Sequence, residues 1–253
     1  MIILLSPAKL IDTSKQLKTS RCSEPIFISE ADNLIGKLRK FSVNKIGKLM
    51  HLSKDLAQLN HKRYNEWDSS IQLNDKNGHA AAVFNGEAYR GLDATSMNTV
   101  ELKVAQEKVR IISGVYGILR PLDIIYPYRL EMGTKWAVTP SKSNLYKFWE
   151  TKIAEAINSE NGDGVVVNLA SNEYFKAIDK QTLKAKVITP IFKELKNGKY
   201  TIIMVYAKKA RGLMTRYIVD NNISNPAEMK KFNREGYKYD DDQSTENEWV
   251  FTR

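Results

Sequence analysis

The chain has 253 residues, of which 42% are hydrophobic and 27% charged, with a net charge of +10 at pH 7. That length can bury a sizeable core, while a mean hydropathy of −0.42 and the lack of any apolar stretch of about 18 residues exclude an integral membrane protein. A single cysteine, Cys22, excludes an internal disulfide framework and a thiolate metal cluster. The short apolar opening has no basic flank and does not read as a secretory signal, so the chain reads as cytoplasmic.

Ile2 to Leu5 reads as a buried strand stopped by Ser6-Pro7, followed by a polar loop over 10–28. Ser29 is placed to cap a helix through Lys40, and Asn44 to Met50 continues helically. After His51-Leu52, Ser53 is placed to cap a third helix to about Trp67, with Leu56, Leu59 and Tyr64 facing inward. Ala80 to Phe84 reads as a strand and Asn85-Gly86 as a turn. Val100 to Val109 is helical and Arg110 to Ser113 is a strand. Residues 114–133, rich in Gly, Pro, Tyr and Arg, read as ordered but irregular. Leu145 to Asn158 reads as one helix, Val165 to Leu169 as a buried strand and Glu173 to Ile178 as a short helix. Val187–Phe192 and Tyr200–Tyr206 read as a hairpin turning at Asn197-Gly198, ahead of a helix from about Ala207 to Val219. Gly236–Tyr239 pairs with Trp249–Phe251 across an acidic loop. Helices and strands interleave without repeat or linker, which predicts one mixed α/β domain over residues 1–253.

The charge is uneven. Residues 36–64 carry Lys37, Arg39, Lys40, Lys45, Lys48, Lys54, Lys62 and Arg63 against Asp55 alone. Residues 176–216 carry eleven basic side chains against Asp179 and Glu194. If folding brings the two segments together they form one surface for a polyanion; otherwise they are two solvated faces. Lys208, Lys209 and Arg211 fall at the expected start of the helix after Tyr206, where the macrodipole disfavours cations, so a bound anion would offset the repulsion. Lys208 and Arg211 are three apart and share a face; Arg216 lies further along the same helix.

No Walker loop or G-x-G-x-x-G fingerprint is present, and no cofactor is expected. His51, His61 and His79 are not spaced as metal ligands, and Cys22 has no second thiol or histidine near it in sequence. Polar side chains gather instead in four segments. These are Ser6 to Lys9, the run from Gly114 to Asp123 with Tyr128 to Gly133, Asn168 to Tyr174, and Tyr206 to Gly212. Strand ends in α/β folds are where ligand groups converge. The structural alternative is that Arg120, Asp123, Arg129 and Glu131 pair with one another to pin an irregular loop.

The same segments carry a resemblance. LLSPAK at 4–9, FNGEAYRGL at 84–92, SGVYGILRPLD at 113–123, PYRLEMG at 127–133, NLASNEYFKAI at 168–178, YAKKARGLMTRYI at 206–218 and FNREGY at 232–237 run in order along nearly the whole chain. In them the chain resembles the YaaA family of bacterial peroxide stress proteins. The resemblance implies a single α/β domain of unusual topology with a positively charged cleft and a helix–hairpin–helix element. It also implies DNA binding and a role in limiting hydrogen peroxide damage, linked to lower available iron. A helix–hairpin–helix needs two short helices joined by a tight turn; Asn44–Met50, His51-Leu52 and Ser53–Trp67 fit that outline, although the turn lacks the usual glycines.

Two functional readings follow. The first is a DNA-binding stress protein that contacts phosphates of duplex or distorted DNA through Lys45, Lys48, Ser53, Lys54, Lys62, Arg63, Lys208, Lys209, Arg211 and Arg216, with neither a membrane nor a protein partner implied. The second is an enzyme acting on a nucleobase, nucleotide or damaged base. Its polar pocket would draw on Ser6, Lys9, Tyr116, Arg120, Asp123, Arg129, Glu131, Asn168 and Glu173, with Asp123 or Glu173 as the acid–base carboxylate and Asn168 reading the base edge. Direct iron binding is the weakest reading, because no His/Cys/carboxylate cluster stands at ligand spacing.

Overall fold

A computed structural model describes residues 1–70, 72–162 and 164–253. The chain opens with β1 (Ile2–Leu5) and β2 (Leu10–Ile11), then α1 (Ile28–Arg39), α2 (Val43–Met50) and α3 (Lys54–Asn65). Next come β3 (Gly78–His79), α4 (Ala80–Val83), β4 (Phe84–Asn85), α5 (Glu87–Leu92) and α6 (Thr99–Lys108). β5 (Val109–Ser113), β6 (Gly117–Leu119) and β7 (Ile124–Ile125) precede α7 (Leu145–Trp149) and α8 (Lys152–Asn161). β8 (Val165–Leu169), α9 (Asn172–Phe175), β9 (Lys186–Lys196) and β10 (Lys199–Thr201) lead to α10 (Met204–Asp220). β11 (Lys238–Asp240) and β12 (Glu248–Thr252) close the described chain. None of the helices in the described residues is long and apolar enough to cross a membrane.

One mixed sheet organises this single α/β domain, in the order β11-β12-β9-β8-β1-β5-β6, with β10 paired to β9. Its centre is parallel: β1 pairs with both β8 and β5, and β9 with both β8 and β12. β6, β10 and β11 are antiparallel to their neighbours. The sequence explains the centre. Ile2-Ile3-Leu4-Leu5 and Val109 to Ser113 are buried at every position, as strands covered on both faces must be. β9 instead alternates between buried and partly exposed residues, which is the pattern of a strand with one covered face.

Several local expectations give way to packing. Ala80–Val83 is a buried helical turn rather than a strand, consistent with alanine's helix preference. Its first amides donate to Asp123 O and Pro121 O, at 2.9 and 3.1 Å. The helix expected over 145–158 breaks at Glu150, which adopts φ 43° and ψ −121°. That break leaves Trp149 buried against Gly117, where a Cβ would stand 2.6 Å from the ring. Gly117 also has φ +68°, so both its conformation and its neighbour require glycine. Phe27, not Ser29, stands at the N-cap of α1. Leu56 and Leu59 face solvent; α3 buries Tyr64 as expected, with Ala57 and Asn60 in place of the two leucines. The hairpin at Asn197-Gly198 is present, but its second strand stops at Thr201 and α10 begins at Met204. Lys208, Lys209 and Arg211 therefore sit in the second and third turns of α10. The macrodipole argument for an anion at its start does not apply to them, because that effect fades beyond the first turn.

Candidate functional site

The chain passes from β1 to β5 on one side and later returns to β8 on the other, so the strand order reverses at β1. The carboxyl ends of β1 and β8 thus flank the kind of crevice in which open α/β sheets bind ligands. Ser6 follows β1 and Ser171 follows β8. Ser6 Oγ accepts from the Ser171 amide at 2.8 Å and donates to Ser171 Oγ at 3.3 Å. Tyr89, on α5, donates to Ser6 O at 3.0 Å.

Three further residues join this end of the sheet. Lys9 Nζ lies 2.9 Å from Glu131 Oε2, and Arg129 reaches Glu131 Oε1 at 2.6 Å through Nη2 and 3.1 Å through Nε. Burial alone would raise the Glu131 carboxyl, but hydrogen bonds from Lys9 and Arg129 hold it below its ordinary value. Glu173 Oε1 accepts from the Gly133 amide at 2.9 Å, which closes the 129–133 loop onto α9. Tyr64 of α3 donates to Arg129 O, and the neighbouring Arg63 is half-buried. Burial is the main cause lowering the Arg63 guanidinium's affinity for its proton, and the charge of Arg129 acts in the same direction. The basic end of α3 is therefore next to the strand-end cluster. Lys9 and Arg129 there both pair with Glu131, whereas Arg63 has no carboxylate partner among the described ion pairs.

α10 is fixed to the same end through α5. A Cβ at Gly212 would stand 1.8 Å from Ala88 O, and one at Gly91 would stand 2.3 Å from Lys209 O. The two helix backbones touch at this crossing. α5 follows Gly86, where a Cβ would lie 3.2 Å from that of Ala8 in the loop after β1.

Four candidate pocket residues are held in structural hydrogen bonds. β6 runs antiparallel to β5, so Arg120 and Asp123 emerge at the amino end of β5, opposite the cluster. Asp123 is fully buried and accepts from Arg120 N at 2.7 Å, Ser23 Oγ at 2.6 Å and Arg120 Nε at 3.2 Å. This is the pinning pair expected as the structural alternative; burial raises the Asp123 carboxyl above its ordinary value. Tyr116 is buried, and its hydroxyl accepts from Tyr126 N at 2.9 Å. Asn168 is buried in β8 and accepts from Ala170 N at 3.1 Å, shaping the strand-end turn.

The basic candidates divide in the same way. Lys45, Lys48 and Lys54 lie on α2 and α3 with no carboxylate partner among the described residues; Lys45 stands 3.7 Å over the Phe41 ring. Ser53 caps α3, accepting from Leu56 N at 3.4 Å. Lys62 is 3.7 Å from Glu66. Lys208 is exposed without an ion pair among the described residues, whereas Lys209 meets Glu235 at 2.5 Å. Arg211 is partly buried, and that burial lowers its proton affinity. Arg216 is held by Asp220 at 2.6 Å, Glu101 at 3.7 Å and Asp93 at 4.0 Å.

Sequence reasoning missed Tyr64, Tyr89 and Ser171 as parts of the cluster. Tyr89 lies inside the FNGEAYRGL segment and Ser171 inside NLASNEY, so the motifs held the signal. It also treated Cys22 as remote from histidine, yet Cys22 Sγ lies 3.9 Å from His79 Nε2. His79 Nε2 bonds to Arg21 O at 2.8 Å, which commits that nitrogen as the donor. Burial raises the Cys22 thiol, so the contact does not make an activated thiolate.

The comparisons agree with the sequence motifs. A family model described as peroxide stress protein YaaA matches residues 1–243. A UPF0246 protein of Tolumonas auensis is 48% identical over 256 aligned residues, covering 100% of this chain and 98% of the relative. A UPF0246 protein of Neisseria meningitidis serogroup A is 45% identical with the same coverage, and one of Ralstonia pickettii is 45% identical with 99% of the relative covered. With a match of this kind along the chain, the chain belongs to the peroxide stress protein YaaA family.

Proposed function

We propose that this protein binds DNA through its phosphates as part of the defence against hydrogen peroxide, the role that its family's description names. The observation that carries the reading is the set of uncompensated cations on α2 and α3. Lys45, Lys48 and Lys54 have no carboxylate partner among the described residues, while Arg216 and Lys209 are taken up by carboxylates. The two helices are joined by a tight turn in which His51 is left-handed and Leu52 N bonds to Gly47 O at 2.9 Å. Ser42 and Ser53 cap the two helices. That is the outline of a helix–hairpin–helix, with the amides at the start of α3 and the nearby lysines available to phosphate. Arg63 and Arg129 extend the positive charge toward the ends of β1 and β8, and this stretch is the proposed charged cleft.

The test is duplex affinity. Lys45→Gln/Lys48→Gln/Lys54→Gln should weaken binding equally for unrelated sequences and reduce the salt slope by up to about three. Arg216→Gln should leave the slope unchanged. Equal effects of the two changes would refute the assignment.

A second reading has its own observation, the gathering of Ser6, Lys9, Glu131 and Glu173 at the ligand-binding end of the sheet. With Asp123 withdrawn, Glu173 is the carboxylate left for acid–base work on a nucleobase or nucleotide. If Glu173→Gln abolishes peroxide protection while the fold and DNA affinity persist, the protein is an enzyme that DNA binding delivers. If protection persists, this second reading fails.

A further inference from the structure

β9 is longer than the sheet that holds it. Lys186–Ile188 pair with β8 and Thr189–Lys193 with β12, whereas Glu194–Lys196 pair with β10. The hairpin therefore extends from the sheet, and the described ladders leave the outer edge of β10 unpaired. An open edge offers backbone donors and acceptors to another extended chain.

The side chains around that edge are unusual for a free surface. Leu195, Tyr200, Ile202, Met204, Val205 and Tyr206 are each between 43% and 58% exposed, so six large apolar residues reach solvent within twelve positions. Leu195 and Tyr200 are direct cross-strand partners and share one face. The Tyr206 ring is steadied by the Arg253 guanidinium 5.1 Å away. Contiguous apolar exposure with a polar rim marks an interaction site.

The rim states the partner's charge. Glu194 bonds to Tyr237 and to Arg253, and Glu235 bonds to Lys209 and Arg253, so both nearby carboxylates are satisfied within the protein. Lys196, Lys199 and Lys208 are exposed and have no carboxylate partner among the described residues. The surface is apolar in the middle and positive at its border.

From this geometry we infer that the β9–β10 hairpin and the first turn of α10 dock an extended, acidic segment of another protein, which adds as a strand to the β10 edge and lays aliphatic side chains on the Leu195–Tyr200–Ile202 face. A second copy of this chain fits poorly, since the contact would set lysine against lysine on a chain of net charge +10. A bilayer, even an anionic one that meets the lysines, has no extended backbone to add to the open β10 edge. Duplex DNA meets the lysines but offers no apolar face. The inference is independent of the DNA-binding reading, and it gives the protein a partner that could bring it to a site of action.

The experiment uses the full chain and a displayed library of random dodecapeptides. Enriched peptides should combine acidic residues with aliphatic ones, and on binding they should slow amide exchange at residues 199–203. Ile202→Asp should weaken the enriched peptide at least tenfold by fluorescence anisotropy. Lys199→Glu should do the same, with affinity returning when an acidic residue of the peptide is changed to Lys. Both positions are exposed, and unchanged thermal unfolding confirms that the variants fold. The inference is overturned if no peptide is enriched, if enriched peptides lack acidic residues, or if neither substitution alters binding. It is also overturned if the two substitutions weaken binding to a DNA duplex and leave the peptide unaffected.

Discussion

Gly212→Ala tests the joint that fixes α10 to α5. At the α5–α10 crossing a Cβ on residue 212 would stand 1.8 Å from Ala88 O, 2.7 Å from Ala88 C and 2.8 Å from Leu92 N. Each of these neighbours is backbone, so no side chain can rotate away. Separation to van der Waals contact requires the helices to part by more than about 1 Å, and overpacking of a close core costs about 1–3 kcal/mol or more. For a chain of this size that corresponds to a fall in Tm of roughly 2–4 °C per kcal/mol, hence about 6 °C or more for a cost of about 3 kcal/mol. Gly36→Ala is the control. It lies within α1 with nothing within 4 Å of the added methyl, so helix propensity should stabilise the protein by up to about 1 kcal/mol. Urea titration and thermal unfolding read both changes. If Gly212→Ala lies within about 0.5 kcal/mol of the parent, the ordinary range for surface changes, the α5–α10 contact does not hold α10 in place.

Glu131→Gln should destabilise the protein at neutral pH by about 1 kcal/mol, the upper end for a partly exposed ion pair. Because the folded-state carboxyl lies below its ordinary 4.5, the contribution of Glu131 is present above that pH and lost as pH falls through the folded value, so the difference between variant and parent should vanish in acid. A difference that grows in acid would refute the pairing. Asp123→Asn should cost about 1–3 kcal/mol by chemical denaturation, since one of the two oxygens that accept from Arg120 and Ser23 becomes an amide donor, and should leave DNA affinity unchanged; a loss of affinity would return Asp123 to the site. Cys22→Ser should preserve peroxide protection, and Cys22 should react with iodoacetamide no faster than free cysteine; fast alkylation would point to a thiol switch.

Much of this fold was legible because its signals are local. The apolar run Ile2–Leu5, the β-branched Val165–Val167 and the Asn197-Gly198 turn each name their element without help from the rest of the chain. The α2–turn–α3 pair was likewise visible from Ser53 and the interrupted apolar pattern. Ala80–Val83 misled because a short buried apolar run has no period, so strand and helix look alike. The break at Glu150 is set by Trp149 seating on Gly117, a contact between residues far apart in sequence. The α10 boundary failed because Met204, Val205 and Tyr206 look like strand residues, and their exposure is decided only by where the sheet ends.

The candidate site was half legible for the same reason. Ser6, Lys9, Arg129, Glu131 and Glu173 stand in different motifs, and their meeting depends on the parallel pairing of β1 with β8 and on the return of the 129–133 loop. Asp123 and Arg120 sit in an equally polar motif, but the antiparallel turn of β6 sends them to the other end of the sheet. Sequence could name both sets; only the strand directions separate them.

The salt dependence of duplex binding tests the central claim most directly. Affinity of the full chain for two duplexes of unrelated sequence should be nearly equal. It should also fall linearly in log–log form with added salt, with a slope of about −0.9 for each phosphate neutralised and therefore near −3 or steeper if Lys45, Lys48 and Lys54 all engage. Absence of binding, or an affinity unchanged between about 50 and 200 mM salt, would contradict a protein that holds DNA by its phosphates.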